Sequence, residues 1–229
     1  MKRRNILIGL GVVAAGAAAG GAYWLSRGGP APSTAGQTAT APTSAAAVAA
    51  GDMPLFDDDR ILGDPAAPVT ILEFSSLTCP HCAAFHRETL PQVKSEWIES
   101  GRARLVYRHY PLDQVALRAA AVTNCIPGDG FFGFLDVLFA NQEKWAHSQD
   151  PFTVVGQYAA LAGLDKATFD ACLNDTAAID RILEKQSDGT AKYNIASTPT
   201  FVVNGTPVVG NRSYEEFNGA LEAAAAKAS

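Results

Sequence analysis

Charge is scarce at the start of this chain. Residues 1–50 hold no acid and only four bases, Lys2, Arg3, Arg4 and Arg27, and the run from Ile6 to Leu25 carries no charge at all. As a helix that run would be ~30 Å long, the apolar thickness of a bilayer, so with its short basic head it reads as an export signal or a membrane anchor. Ala15-Gly16-Ala17 and Ala17-Ala18-Ala19 offer small-residue cleavage sites, whereas Tyr23, Trp24 and Arg27 suit the far interface of an anchor, and both outcomes stay open. The Arg3-Arg4 pair fits a plain basic head better than a twin-arginine motif. Cations before the run and few after it place the amino end in the cytoplasm and residues 28–229 outside, in the periplasm or an equivalent extracytoplasmic space, tethered to the membrane if residues 6–25 are retained. Gly28 to Ala50 lacks both charge and aromatic residues, so it cannot bury a core and reads as a linker. The expected layout is a signal or anchor over residues 1–27 and a linker over 28–51.

Cysteine is scarce too, with four in 229 residues: Cys79, Cys82, Cys125 and Cys172. Four do not make a disulfide scaffold, and a chain this long with 48% hydrophobic residues can bury a core without one. A zinc site needs two ligands beyond Cys79 and Cys82. Cys125 and Cys172 form no second C-x-x-C, and His86 or His109 would have to converge from other elements, so no metal is expected. Beyond residue 50 there is no cationic excess either, since 14 basic residues face 23 acidic ones, which argues against a nucleic-acid partner.

From Asp52 onward the chain alternates strand and helix patterns. Residues 67–74, "APVTILEF", form a short β-rich run with Pro68 at its entrance, the pattern of a buried strand. It leads straight to Cys79. Thr78 is expected as an N-cap, Pro80 fits a first helical turn, and helical spacing continues to Gly101 with a kink at Pro91. Residues 102–110, "RARLVYRHY", form a second strand, parallel to the first because a helix joins them. Residues 112–193 show only helical patterns. The chain then returns to "PTFVVNGTPVV", two strands joined at Asn204-Gly205, and to a last helix with Ser213 and Glu216 placed as a capping box. The fold class is α/β, in the order βαβ, helical block, ββα.

Cys79 and Cys82, three residues apart at a helix start, are close enough to bridge, and first-turn N–H groups with the helix dipole stabilise a thiolate there. His81 can donate to the Cys79 sulfur, and Pro80 shapes the turn. As a merely structural bridge the pair closes too small a loop to stabilise much. His86 reads as a half-exposed helix histidine. Glu73 is a carboxylate inside an apolar strand, costly to bury without a task or a partner, and a lysine at the strand edge is the plain structural alternative.

"LEFSSLTCPHC" together with "STPTF" far downstream resembles the thioredoxin superfamily, and within it the DsbA-type exported thiol oxidoreductases, over about residues 60–227. The resemblance implies a thioredoxin fold (residues 52–111 and 194–229) with an inserted helical domain (112–193). It implies Cys79 as the exposed nucleophile, Cys82 as its buried partner and Glu73 as a proton relay to Cys82. Thr198 and Pro199 would form a substrate-binding loop with a cis proline. No cofactor is implied beyond the redox-active Cys79–Cys82 disulfide. Reduced, folding exported proteins are the implied substrates, a quinone-linked membrane protein of DsbB type the reoxidant, and a monomer the expected state. Thr198 departs from the valine of the best-known oxidases, which keeps disulfide isomerase or reductase activity open. Residues 51–66 are too few for the amino-terminal dimerisation domain typical of such isomerases. An exported metal-binding or holdase module is the rival of another class. Keeping each pair within one domain matches Cys125 with Cys172 as a structural disulfide, with two buried free thiols as the alternative.

Overall fold

The computed structural model describes residues 53–127 and 129–228. The charge-free run at 6–25 and the linker therefore lie outside the described residues, among which no helix is long and apolar enough to cross a membrane. Among the described residues five strands form one sheet in the order β1-β3-β2-β4-β5. Strands β2 (Val69–Ser75) and β3 (Ala103–His109) pair in parallel across the active-site helix, and β3 is a residue shorter at each end than the sequence predicts. Strands β4 (Thr200–Val203) and β5 (Thr206–Val209) make the hairpin, with Asn204 and Gly205 both at positive φ in the turn.

Strand β1 (Arg60–Leu62) was not expected from the sequence. Its three residues are too few to show an alternation, and they pair antiparallel with the outer side of β3. A strap of residues 53–59 leads into it and is held by charge. The enclosed side chain of Asp59 accepts from Arg108 Nη2 at 2.7 Å and from Lys185 Nζ at 3.0 Å, and the Phe56 ring lies 4.6 Å from Arg108, 4.6 Å from Arg181 and 5.3 Å from Lys185.

Both faces of the sheet are covered. On one side Val69, Ile71, Phe201 and Val203 pack with Phe85, Trp97 and Phe217, the last from α9 (Tyr214–Ala228). On the other, Leu72, Phe74, Val106 and Val202 pack with Tyr193 and Ile195. Here α8 (Thr176–Tyr193) approaches so closely that a Cβ on Gly189 would lie 2.4 Å from the Phe74 ring. The helices α3 (Gln114–Asn124), α4 (Gly130–Ala140), α5 (Gln142–Trp145), α6 (Pro151–Leu161) and α7 (Lys166–Leu173) fill the stretch between β3 and α8. They pack around Leu135, Phe139 and Trp145, in a core that also takes in Leu77, Cys82 and Ala83 from the active-site turn and helix and Tyr107 from β3. A disulfide joins Cys125, just past α3, to Cys172 in α7. At α9, Ser213 Oγ accepts the Glu216 N–H at 3.3 Å, while the Glu216 carboxylate lies 3.5 Å from the Ser213 hydroxyl rather than on its backbone, so half of the capping box forms.

The helix after β2 runs through residues 80–98, close to the span up to Gly101 read from sequence, but it is not regular throughout. Its α-helical parts α1 (Pro80–Ala84) and α2 (Leu90–Val93) alternate with two wider π-type turns, Phe85–Thr89 and Lys94–Ile98. The Leu90 N–H donates to Phe85 O and the Glu99 N–H to Lys94 O, five residues back in each case. The wide turns fall immediately before and after the α-helical segment that holds Pro91, a residue with no N–H to donate.

Candidate active site

Strand β2 ends at Ser75, and the turn Ser76–Thr78 lifts the chain to Cys79, whose extended backbone (φ −81°, ψ 119°) makes it the N-cap of α1. Thr78 was expected in that role. Its hydroxyl instead donates to Asp113 Oδ2 at 2.6 Å, and Asp113 caps α3, so the threonine ties the turn to the helical block. Cys79 and Cys82 are free thiols, with Cys79 retaining 5% exposure and Cys82 none. In this state Cys79 is less open than the exposed nucleophile implied by the family pattern, because residues 197–199 lie across it. Its Sγ–H donates to the Thr198 carbonyl at 3.3 Å, and the Thr198–Pro199 peptide is cis.

The two sulfurs are placed in opposite electrostatic settings. The Cys79 pKa is lowered to about 5, first by a hydrogen bond from the Cys82 thiol. Burial opposes that shift, and the Thr198 side chain and the backbone N–H groups of Cys82 and His81 add to it. His81 thus contributes its backbone. Its ring, expected as the donor, is exposed with Pro80 at the surface and makes no hydrogen bond among the described residues. Cys82 is pushed far above an ordinary thiol, first by burial and then by the hydrogen bond to Cys79 and that sulfur's charge. Cys79 is thus tuned toward the thiolate and toward being a good leaving group, while Cys82 holds its proton.

Beneath Cys82 lies a polar pocket. Glu73 is fully buried, and its Oε1 is 2.9 Å from Nε2 of His86. His86, expected half-exposed, is buried, with the Phe139 ring 4.2 Å away by centroids and Asp136 Oδ1 3.7 Å from Nδ1. The partner of Glu73 is therefore a histidine thirteen residues on rather than a lysine. Tyr107 is the cross-strand neighbour of Glu73, and its phenol is held neutral first by burial and then by the charges of Glu73 and Cys82. Ser75, two residues beyond Glu73 on the same face, sits where its hydroxyl favours a Cys82 thiolate, although it forms no hydrogen bond in the dithiol state.

Sequence reading missed Gln142, which is 2% exposed and donates through Nε2 to the carbonyls of Leu77 at 2.7 Å and Cys79 at 3.0 Å. This one side chain from the helical block holds the turn that presents the nucleophile. No local pattern marks a glutamine more than sixty residues downstream, so only three-dimensional placement reveals it.

A site of this form has relatives. Residues 56–223 match the thioredoxin family model. A Rickettsia conorii chain named among the protein-disulfide oxidoreductases is 30% identical over 171 residues, covering 73% of this chain and 61% of its own. The chain spans about three-fifths of the length of the Rickettsia relatives it matches. Among solved structures, Wolbachia pipientis alpha-DsbA1 is 29% identical with a TM-score of 0.72, covering 79% of this chain and 98% of that one. A Novosphingobium aromaticivorans chain named a protein-disulfide isomerase is 25% identical with a TM-score of 0.65, covering 75% and 99%. With the five-stranded sheet, the helical block and paired thiols at a helix start, these matches show that the chain belongs to the DsbA-type family of the thioredoxin superfamily.

Proposed function

We propose that the chain is a thiol:disulfide oxidoreductase that introduces disulfides into reduced exported proteins through Cys79 and Cys82. The observation that carries this is the opposed pair of sulfurs, with Cys79 stabilised as a thiolate near pKa 5 and Cys82 held protonated. Stabilising the reduced form makes the Cys79–Cys82 disulfide an oxidant. A substrate thiolate attacks the Cys79 sulfur, the Cys79–Cys82 bond breaks, and Cys82 leaves with the electron pair and takes up a proton. A second substrate thiol loses its proton to solvent and attacks the substrate sulfur of the mixed disulfide, expelling Cys79 as a thiolate. The substrate leaves oxidised and the enzyme reduced, so a membrane reoxidant of DsbB type is required for turnover. The Thr198–Pro199 loop would hold the substrate backbone beside Cys79, and the charge-free run at 6–25 supports an extracytoplasmic location, tethered or released.

Thr198 before the proline, and the likeness to the Novosphingobium chain, favour disulfide isomerisation as the second reading. A redox titration against glutathione, followed by thiolate absorbance, tests the first. An oxidase gives a potential well above that of the glutathione pool and a Cys79 pKa near 5. A reducing potential with an ordinary thiol pKa rejects it, and scrambled ribonuclease refolded faster than reduced ribonuclease is oxidised favours isomerisation.

A further inference from the structure

Expelling Cys82 as a thiolate into a fully buried site demands a proton at the moment the disulfide breaks. Solvent has no direct access to that sulfur, so the proton must come through protein groups. Glu73 is the buried acid in the same pocket. Glu73 is itself sealed from solvent, and an acid that delivers one proton per cycle must be recharged.

The groups around Glu73 form an ordered series. Its Oε1 is bonded to His86 Nε2 at 2.9 Å, and its Oε2 has no hydrogen-bond partner among the described residues. On the far side of the imidazole, Nδ1 has no hydrogen bond among the described residues and faces Asp136 Oδ1 at 3.7 Å. The Asp136 side chain is 44% exposed and is held in place by Lys94 Nζ at 2.7 Å. The charged and titratable groups facing this series are Tyr107 from β3, Cys82 and Lys94 from the active-site helix, and Asp136 from α4. Arg87 on the same helix points away, to the Phe139 carbonyl. Glu73 Oε2, His86 Nδ1, Ser75 Oγ and the Tyr107 hydroxyl are all buried without a formed hydrogen bond in the dithiol state, an unusual concentration of unsatisfied polar atoms beneath one sulfur.

Resting on the oxidoreductase reading above, we propose that His86 and Asp136 form the outer half of a proton path from solvent to Cys82. Asp136 takes the proton from water, the imidazole passes it from Nδ1 to Nε2, and Glu73 receives it and protonates the departing Cys82 sulfur. One proton enters from solvent for each sulfur expelled, and reoxidation sends it back. An imidazole suits this position because it accepts at one nitrogen while donating at the other, which neither lysine nor arginine can do. Burial opposes charging of the ring, but Glu73 and Asp136 outweigh it and hold the His86 pKa above the ordinary histidine value, so a proton stays near the acid. Because Asp136 belongs to α4, the path leaves through the helical block. His86 and Asp136 touch no reacting atom and act through Glu73 as positioning and conducting residues.

The test follows reduction of the oxidised protein by a dithiol across pH, in wild type and in His86→Ala, Asp136→Asn and Glu73→Gln. A positioned proton donor is worth on the order of a hundredfold or more in rate, so Glu73→Gln should slow reduction by about that factor and His86→Ala, which acts through Glu73, should slow it in the same direction. Free imidazole should restore most of the rate in His86→Ala and none of it in Glu73→Gln, a difference that a purely structural role for His86 does not produce. Asp136→Asn, at a half-exposed position that leaves folding intact, should slow reduction in the same direction and make the rate depend on buffer concentration. Asp136→Asn at the wild-type rate in all buffers, or a His86→Ala defect that imidazole leaves untouched, overturns the path while leaving the oxidoreductase reading in place. Wild-type protein that exchanges no disulfide through Cys79 overturns both.

Discussion

Reducing the Cys79–Cys82 pair should stabilise the protein increasingly as pH rises. In the reduced fold the Cys79 pKa is about 5, against 9.0 for a free thiol. Folding depresses this pKa, so its stabilisation is complete above the unfolded value, shrinks as pH falls and is gone below about 5. Within that window the slope is about 1.4 kcal/mol per pH unit, which puts roughly 3 kcal/mol at pH 7. Solvent reaching the rim of the site screens that to about 2 kcal/mol, or roughly 4–8 °C in Tm for a domain of this size. The oxidised protein has no Cys79 thiol and lacks the slope. Cys82, whose pKa is raised, begins to titrate in the unfolded chain only near its ordinary 9.0 and stays silent below about pH 8. The assay is denaturant unfolding of both redox forms from about pH 4.5 to about pH 8. The small loop closed by the Cys79–Cys82 bridge adds an offset that is independent of pH, so the quantity to read is how the difference changes. A reduced-minus-oxidised difference that stays constant from pH 5 to pH 8 would refute the assigned thiolate.

Two further outcomes follow from particular contacts. Gln142→Leu strands the buried carbonyl of Leu77, while the Cys79 carbonyl keeps the Ala83 N–H, and urea unfolding should show a loss of about 1–3 kcal/mol together with a raised Cys79 pKa, since the turn that aims the sulfur loosens. Removing the Cys125–Cys172 bridge with serine at both positions frees a loop of sequence separation 47 and should cost up to about 4 kcal/mol, while the redox potential of the Cys79–Cys82 pair stays within error of wild type.

Much of the fold was legible because its signals are local. Strand β2 is an unbroken buried run, Pro80 follows a cysteine at a helix start, and Asn204-Gly205 forms the hairpin turn. What escaped reading depends on long-range contacts or on very short elements. Three residues cannot display the alternation of a strand, so β1 was invisible. The π-type turns leave no trace in residue spacing. His86 looked like an ordinary helix histidine because nothing in a single sequence says that position 86 faces position 73, yet that contact explains how a carboxylate survives inside β2. Thr78 has the right chemistry for a cap but was read one residue early, since Cys79 itself turns the chain into the helix and leaves the threonine for Asp113.

The strap over residues 53–59 has a mechanical consequence. Tension applied at its amino-terminal side reaches Asp59 before it reaches β2, and there it leaves the chain sideways, through Arg108 into β3 and through Lys185 into α8. Phe56, wedged among three cations, resists being peeled away. The strand that carries Glu73 and delivers Cys79 lies beyond that knot, so a pull on the strap meets β3 and α8 before it meets β2.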